Sequence, residues 1–94
     1  MSEFHNGERV RIDDRDESRH HRVPAYAKGH CGEVVRVCHE QCRPEDLAGG
    51  QLNGPKVAVY RVRLRQIELW PHYKGAASDC LEIEIYAHWL RRAP

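Results

Sequence analysis

Three stretches of the chain alternate apolar and polar residues with period two, and no stretch carries a sustained helical period. Val10 and Ile12 alternate with Arg9 and Arg11, Tyr60, Val62 and Leu64 with Arg61 and Arg63, and Leu81, Ile83 and Ile85 with Glu82 and Glu84. Successive side chains on a strand point to opposite faces, so each stretch predicts a strand with one face in a core. The apolar run Val34-Val35-Arg36-Val37 adds a strand over 33–38. The reading is therefore an anchor and first strand over 4–12 turned by Gly7, then strands over 33–38, 56–65 and 81–85. Pairing the last two sets glutamates against arginines across the sheet, which gives Arg61 and Arg63 a structural assignment as cross-strand ion pairs.

The connecting segments are irregular. Residues 13–21 hold Asp-Asp-Arg-Asp-Glu-Ser-Arg-His-His, with nothing apolar to drive burial, and read as a solvated loop of mixed charge. Residues 39–55 contain Pro44, Gly49, Gly50, Gly54 and Pro55, the composition of an excursion in which Pro44-Glu45-Asp46-Leu47 opens one helical turn. Residues 66–70 stop at Pro71 and predict a turn of helix that plugs one end of the sheet with Leu69 and Trp70. Residues 74–79 read as a loop. Residues 87–90 predict a last single turn, after which 91–94 are expected to fray. Four or five short strands joined this way give an all-β fold, a small antiparallel barrel with short helical turns. Periodicity alone leaves SH3-like, OB-like and small-sandwich arrangements open.

Ninety-four residues suffice for one domain, taken as 1–94, and a domain this small buries only about 60–65% of the surface of its unfolded chain. A thin core leaves room for stabilisation by a partner, with apolar surface for it expected around Tyr26, Trp70, Tyr73 or Trp89. A formal net charge of +1 argues against a domain that grips phosphate backbones, so nucleic acid is not expected. The chain has no apolar run of bilayer-spanning length, and its start lacks the pattern of a signal peptide, so a cytoplasmic location is expected. In that compartment Cys31, Cys38, Cys42 and Cys80 are expected as free thiols. The alternative, a zinc site of Cys38, Cys42, Cys31 and either His30 or His39, has the loose spacing Cys-x-x-x-Cys and no second matching pair.

An independent active site is hard to assemble. No serine sits in a nucleophile elbow, and there is neither a glycine-rich phosphate loop nor a His-Glu-x-x-His pair. His5, His30, His39, His72 and His88 are scattered and read as surface or packing residues. Functional residue types concentrate in one stretch, residues 20–32. There Pro24 fixes its own φ and pushes Val23 toward an extended conformation, so Arg22 is aimed from a stiff connector. Gly29 and Gly32 bracket a turn that needs either positive φ or a close backbone approach. On these residues alone, Arg22 reads as a surface ion pair to the acidic residues 13–17.

His-x-Arg-x-Pro-x-Tyr-x-x-Gly-x-x-Gly, here His20, Arg22, Pro24, Tyr26, Gly29 and Gly32, resembles the C-terminal half of the nitrile hydratase β subunit, in a family that includes thiocyanate hydrolase. The likeness continues through Tyr60-Arg61-Val62-Arg63-Leu64, Glu68-Leu69-Trp70 and residues 81–90, nearly the whole chain. It implies an SH3-like barrel. The helical N-terminal half of a usual β subunit is not seen, which is similar to three-subunit members such as toyocamycin nitrile hydratase. The family's aromatic-Pro-Asp and later His-Gly are replaced by Arg43-Pro44-Glu45-Asp46 and Gly49-Gly50, a departure that weakens any carry-over of function to that loop. The resemblance implies the small subunit of a heteromeric enzyme that hydrates a nitrile to an amide and is inactive alone. The metal, cobalt or alternatively iron, would sit in an α-type partner subunit, on three cysteines of which two are oxidised to sulfinic and sulfenic acids. No cofactor would be bound by this chain. Arg22 matches an arginine that donates hydrogen bonds to those oxygens, and a separate helical subunit would supply a second. A planar guanidinium with several donors suits such oxygens better than an ammonium. His20, His21, Tyr26 and Trp70 are the expected partner interface. The alternatives are a stand-alone SH3-like binding module and an accessory protein for metal loading of the α-type subunit.

Overall fold

The computed structural model describes residues 4–17, 22–42, 50 and 56–93. The strands are β1 (Arg9–Ile12), β2 (Cys31–Cys42), β3 (Lys56–Arg65), β4 (Cys80–Tyr86) and β5 (Leu90–Arg92), with one helical turn, α1 (Gln66–Leu69), and 3₁₀ turns at Ala25–Ala27 and Ala87–Trp89. All five strands form one antiparallel sheet in the order β4-β3-β2-β1-β5. β4 and β5 are thus the two edges. In a flat sheet they would lie about 19 Å apart, yet the four Cα-to-Cα steps from Tyr86 to Leu90 reach at most roughly 14 Å. The sheet is therefore rolled so that its edges approach, although no ladder joins β4 to β5 among the described residues. The expected all-β antiparallel fold with short helical turns is present, as a barrel left open along one seam.

The period-two residues line the inside of the roll. Val10, Ile12, Val34, Tyr60 and Val62 are fully buried, and Ile85, Trp89 and Leu90 close the same core. Phe4 anchors the N-terminal end: its ring meets Tyr60 edge-on at 5.4 Å, and its backbone N–H donates to the Tyr60 hydroxyl at 3.1 Å. Leu81 and Ile83 are only half-buried, because β4 is an edge strand. Gly32 sits where β2 crosses β3, and a Cβ there would lie 2.6 Å from the Arg63 carbonyl oxygen and 2.7 Å from Leu64 Cδ2. Close approach is what that position requires, whereas Gly29, at φ +82°, supplies the turn.

Three expectations change. β2 extends to Cys42 rather than ending at Cys38, because its far half pairs with Lys56, Val57 and Ala58 across irregularities between Val34 and Arg36 and between Val37 and Glu40. Arg91 and Arg92 do not fray: Leu90, Arg91 and Arg92 pair with Ile12, Arg11 and Val10, and the burial of Leu90 holds them there, while Pro94 lies outside the described residues. Trp89 is wholly inside and offers no surface to a partner. The helical turn expected over Pro44-Glu45-Asp46-Leu47 lies outside the described residues. The paired glutamates are found as anticipated, Arg61 to Glu84 at 3.1 Å and Arg63 to Glu82 at 3.0 Å. The hydrogen bond from Arg61 to Glu84 raises the Arg61 pKa above its ordinary value. Exposed pairs of this kind contribute about 0–1 kcal/mol each. Among the described residues no helix is long and apolar enough to cross a membrane.

Candidate functional site

The stretch that carries the motif is pinned at points and exposed between them. Val23 and Ala27 are buried in the core, while Arg22, Ala25 and Tyr26 face outward. Pro24 is extended, at φ −62° and ψ 139°, and its carbonyl accepts from the Ala27 N–H at 3.0 Å, which closes the 3₁₀ turn. Gly29 then donates to the Ile12 carbonyl at 2.8 Å, and Ile12 donates to the His30 carbonyl at 2.9 Å, so the turn is stitched to β1. Arg22 itself has φ +57°. A left-handed conformation costs a residue with a Cβ about 1–2 kcal/mol, so the attachments on its C-terminal side hold it in a backbone it would not choose alone.

Tyr26 stacks on Trp70, with ring centroids 5.1 Å apart and planes tilted by 40°. Trp70 is oriented by α1, since its Nε1 donates to Gln66 Oε1 at 3.2 Å. One turn earlier on the same helix Ile67 is 43% exposed, and Tyr26 is 36% exposed. Tyr26 and Trp70 thus form an aromatic contact on the segment that carries Arg22, and Ile67 exposes a further large apolar side chain on α1, residue types enriched where proteins meet. Tyr73 has a different task. Its hydroxyl donates to Asp79 at 2.6 Å and closes the α1–β4 loop, and that hydrogen bond raises the Tyr73 pKa.

Of the residues singled out by the motif, Arg22 and Tyr26 are exposed, and the structure brings Tyr26 into contact with Trp70. His20 and His21 lie outside the described residues. The acidic residues do not capture Arg22: Asp13 binds Arg15 at 2.8 Å and Arg91 at 3.1 Å, Asp14 binds Arg11 at 3.4 Å, and among the described residues no ion pair joins Arg22 to residues 13–17. In the alternative zinc site, the side chains of His39 and Cys42 lie outside the described residues. Among the described residues no three His, Cys, Asp or Glu side chains group so as to hold a metal ion, and Cys31, Cys38 and Cys80 are free thiols. A hollow of about 270 Å³ on the outer face holds Cys31 and Cys80. Charges of its lining pair with one another, Arg63 with Glu33 at 3.9 Å and Arg65 with Glu68 at 3.5 Å.

Residues 13–17 are not a merely solvated loop. The Arg15 guanidinium lies 3.9 Å from the centre of the buried Trp89 ring, donates to Asp13 at 2.8 Å and donates to the His88 carbonyl at 3.2 Å. The Lys28 ammonium stands 5.2 Å from the centre of the same ring and donates to the Arg15 carbonyl at 3.2 Å. The backbone N–H of Arg15 donates to Asp13, and this, with the Arg15 and Arg91 guanidinium groups, holds the Asp13 carboxyl below its usual pKa against the opposing effect of burial. The charge run contains no signal of this arrangement, because the ring that organises it stands at the far end of the chain.

Comparison with known proteins places this geometry among relatives. The family described as nitrile hydratase beta subunit, C-terminal, matches residues 1–92. The chain is 36% identical over 93 residues to thiocyanate hydrolase subunit alpha of Thiobacillus thioparus, covering 98% of this chain and 73% of that subunit. It is 31% identical over 94 residues to nitrile hydratase subunit beta of Pseudomonas chlororaphis, covering 97% of this chain and 41% of that one. The recombinant apo-enzyme of thiocyanate hydrolase from Thiobacillus thioparus contains a similar fold, with a TM-score of 0.91 at 35% identity over 99% of this chain and 78% of the other.

Proposed function

Because the chain belongs to the family of the nitrile hydratase β subunit's C-terminal region, we propose that it acts as one domain, residues 1–94, forming the small subunit of a heteromeric nitrile hydratase-like enzyme in the cytoplasm. In this reading the chain is inactive alone. An α-type subunit holds the metal, cobalt or alternatively iron, on cysteines that include oxidised ones, and a separate helical subunit completes the site. Among the described residues of this chain no three His, Cys, Asp or Glu side chains group so as to hold a metal ion.

The task assigned to this chain is to present Arg22. A guanidinium offers a planar set of N–H donors to sulfinic and sulfenic oxygens, offsets their negative charge and fixes their orientation, in a site from which docking excludes water. Tyr26 and Trp70, with His20 and His21, are proposed to face the partner. The observation that carries the reading is the exposure of Arg22 on a strained backbone, in the same segment as the exposed Tyr26 and without a carboxylate partner among the described residues. Coexpression with an α-type chain bearing the three-cysteine motif tests it. A stable complex of fixed stoichiometry is expected. Transient association would instead support an accessory protein for metal loading, and no association a stand-alone binding module.

A further inference from the structure

We propose that Lys28 is a positioning residue for Arg22, seated on Trp89 and Arg15; this rests on the reading of Arg22 given above. Lys28 ends the 3₁₀ turn that begins after Pro24, and its side chain is fixed at two points, the Arg15 carbonyl at 3.2 Å and the Trp89 ring at 5.2 Å. Trp89 is fully buried, and Arg15 covers the ring at 3.9 Å while being held by Asp13 and by the His88 carbonyl. The seat is therefore rigid, and Lys28 is the side chain by which the motif segment reaches it. Arg22, at the other end of that segment, keeps φ +57° only while the segment is held down. Val23 and Ala27 anchor it in the core and the Gly29 amide ties its end to Ile12, while Lys28 is the side-chain tie that fixes the turn to Arg15 and Trp89. Release of the tie lets the turn shift and Arg22 relax, and a donor array displaced by about 1 Å loses much of its effect on a reacting centre.

A double-mutant cycle in the assembled complex tests this, with Lys28→Met, Arg22→Lys, the two combined, and Lys28→Arg. Turnover, KM and thermal midpoint are measured, together with hydrogen exchange of the Ala27 and Gly29 amides, which close the turn and its seam with β1. Lys28→Met is expected to lower kcat about tenfold at unchanged KM and to speed exchange at both amides. Lys28→Arg, which keeps a cation over Trp89, is expected to restore both. In the Arg22→Lys background the same Lys28→Met change is expected to cost less than about twofold, because the group it positions is already impaired. An impaired Arg22→Lys whose effect simply adds to that of Lys28→Met would overturn the positioning role and leave the subunit reading intact. Arg22→Lys at full turnover would overturn both. Unchanged exchange at both amides in Lys28→Met would likewise overturn the proposal, because the turn would then be held without Lys28.

Discussion

Gly32→Ala separates the two reasons a motif glycine can be required. Its added Cβ would meet the Arg63 carbonyl oxygen at 2.6 Å, Leu64 Cδ2 at 2.7 Å and Val62 Cγ1 at 2.8 Å, whereas favourable contacts lie at about 3.5–4.0 Å. The two side chains can rotate aside, but the carbonyl belongs to the β2–β3 ladder and cannot. Overpacking of this kind costs about 1–3 kcal/mol. Opposing it, alanine reduces the freedom of the unfolded chain and returns about 0.4–1 kcal/mol. The net expectation is a loss of roughly 1–2 kcal/mol, which in a domain of this size lowers Tm by about 5–15 °C. Urea titration followed by tryptophan fluorescence should show a lower midpoint at unchanged slope. Leu64→Val in the same background should rescue only in part, because the carbonyl contact remains. At Gly7, where φ is +86° and no atom lies within 4 Å of the added carbon, alanine meets only the backbone cost. A Gly32→Ala midpoint at or above wild type would refute the packing argument.

Arg15→Ala removes a cation from a buried indole together with a short ion pair, and should cost about 2–3 kcal/mol in chemical denaturation, whereas Arg11→Ala at the exposed pair with Asp14 should cost less than about 0.5 kcal/mol. Asp13 has a folded pKa below its ordinary 3.8, so the stability it contributes is complete above that value and is lost as pH falls through the folded one. Thermal midpoints of Asp13→Asn should accordingly fall less steeply than those of wild type as pH is lowered below the ordinary 3.8. Tyr60→Phe strands the buried Phe4 N–H and should cost about 1–3 kcal/mol, read as a fall in the urea midpoint with faster exchange at that amide.

Much of the sheet is legible in the sequence because burial on one face writes a period of two. That holds for β3, whose Tyr60, Val62 and Leu64 are all inside, and less well for β4, where the edge position leaves Leu81 and Ile83 half-covered. β5 is not legible. Arg91 and Arg92 show no alternation, and their order comes from pairing with Val10 and Arg11 at the other end of the chain. The same distinction divides the candidate site. Pro24 and the two glycines announce a stiff, exposed connector, and resemblance singles out Arg22, Tyr26 and Trp70. The left-handed backbone of Arg22 has no local cue, since that conformation is imposed by what its neighbours are attached to. Asp13 and Arg15 read as solvated charges until the fold brings Arg15, with Lys28, to the Trp89 ring.

The central claim is that this chain supplies Arg22 to a centre held by another subunit, and turnover of the assembled complex carrying Arg22→Lys tests it most directly. Metal content and thermal midpoint are measured alongside. Loss of the guanidinium's donor array is expected to lower turnover by ~100-fold, as loss of a preorganised donor does elsewhere, with assembly, metal content and midpoint unchanged. Full turnover at full metal content would contradict the claim and remove Arg22 from the chemistry.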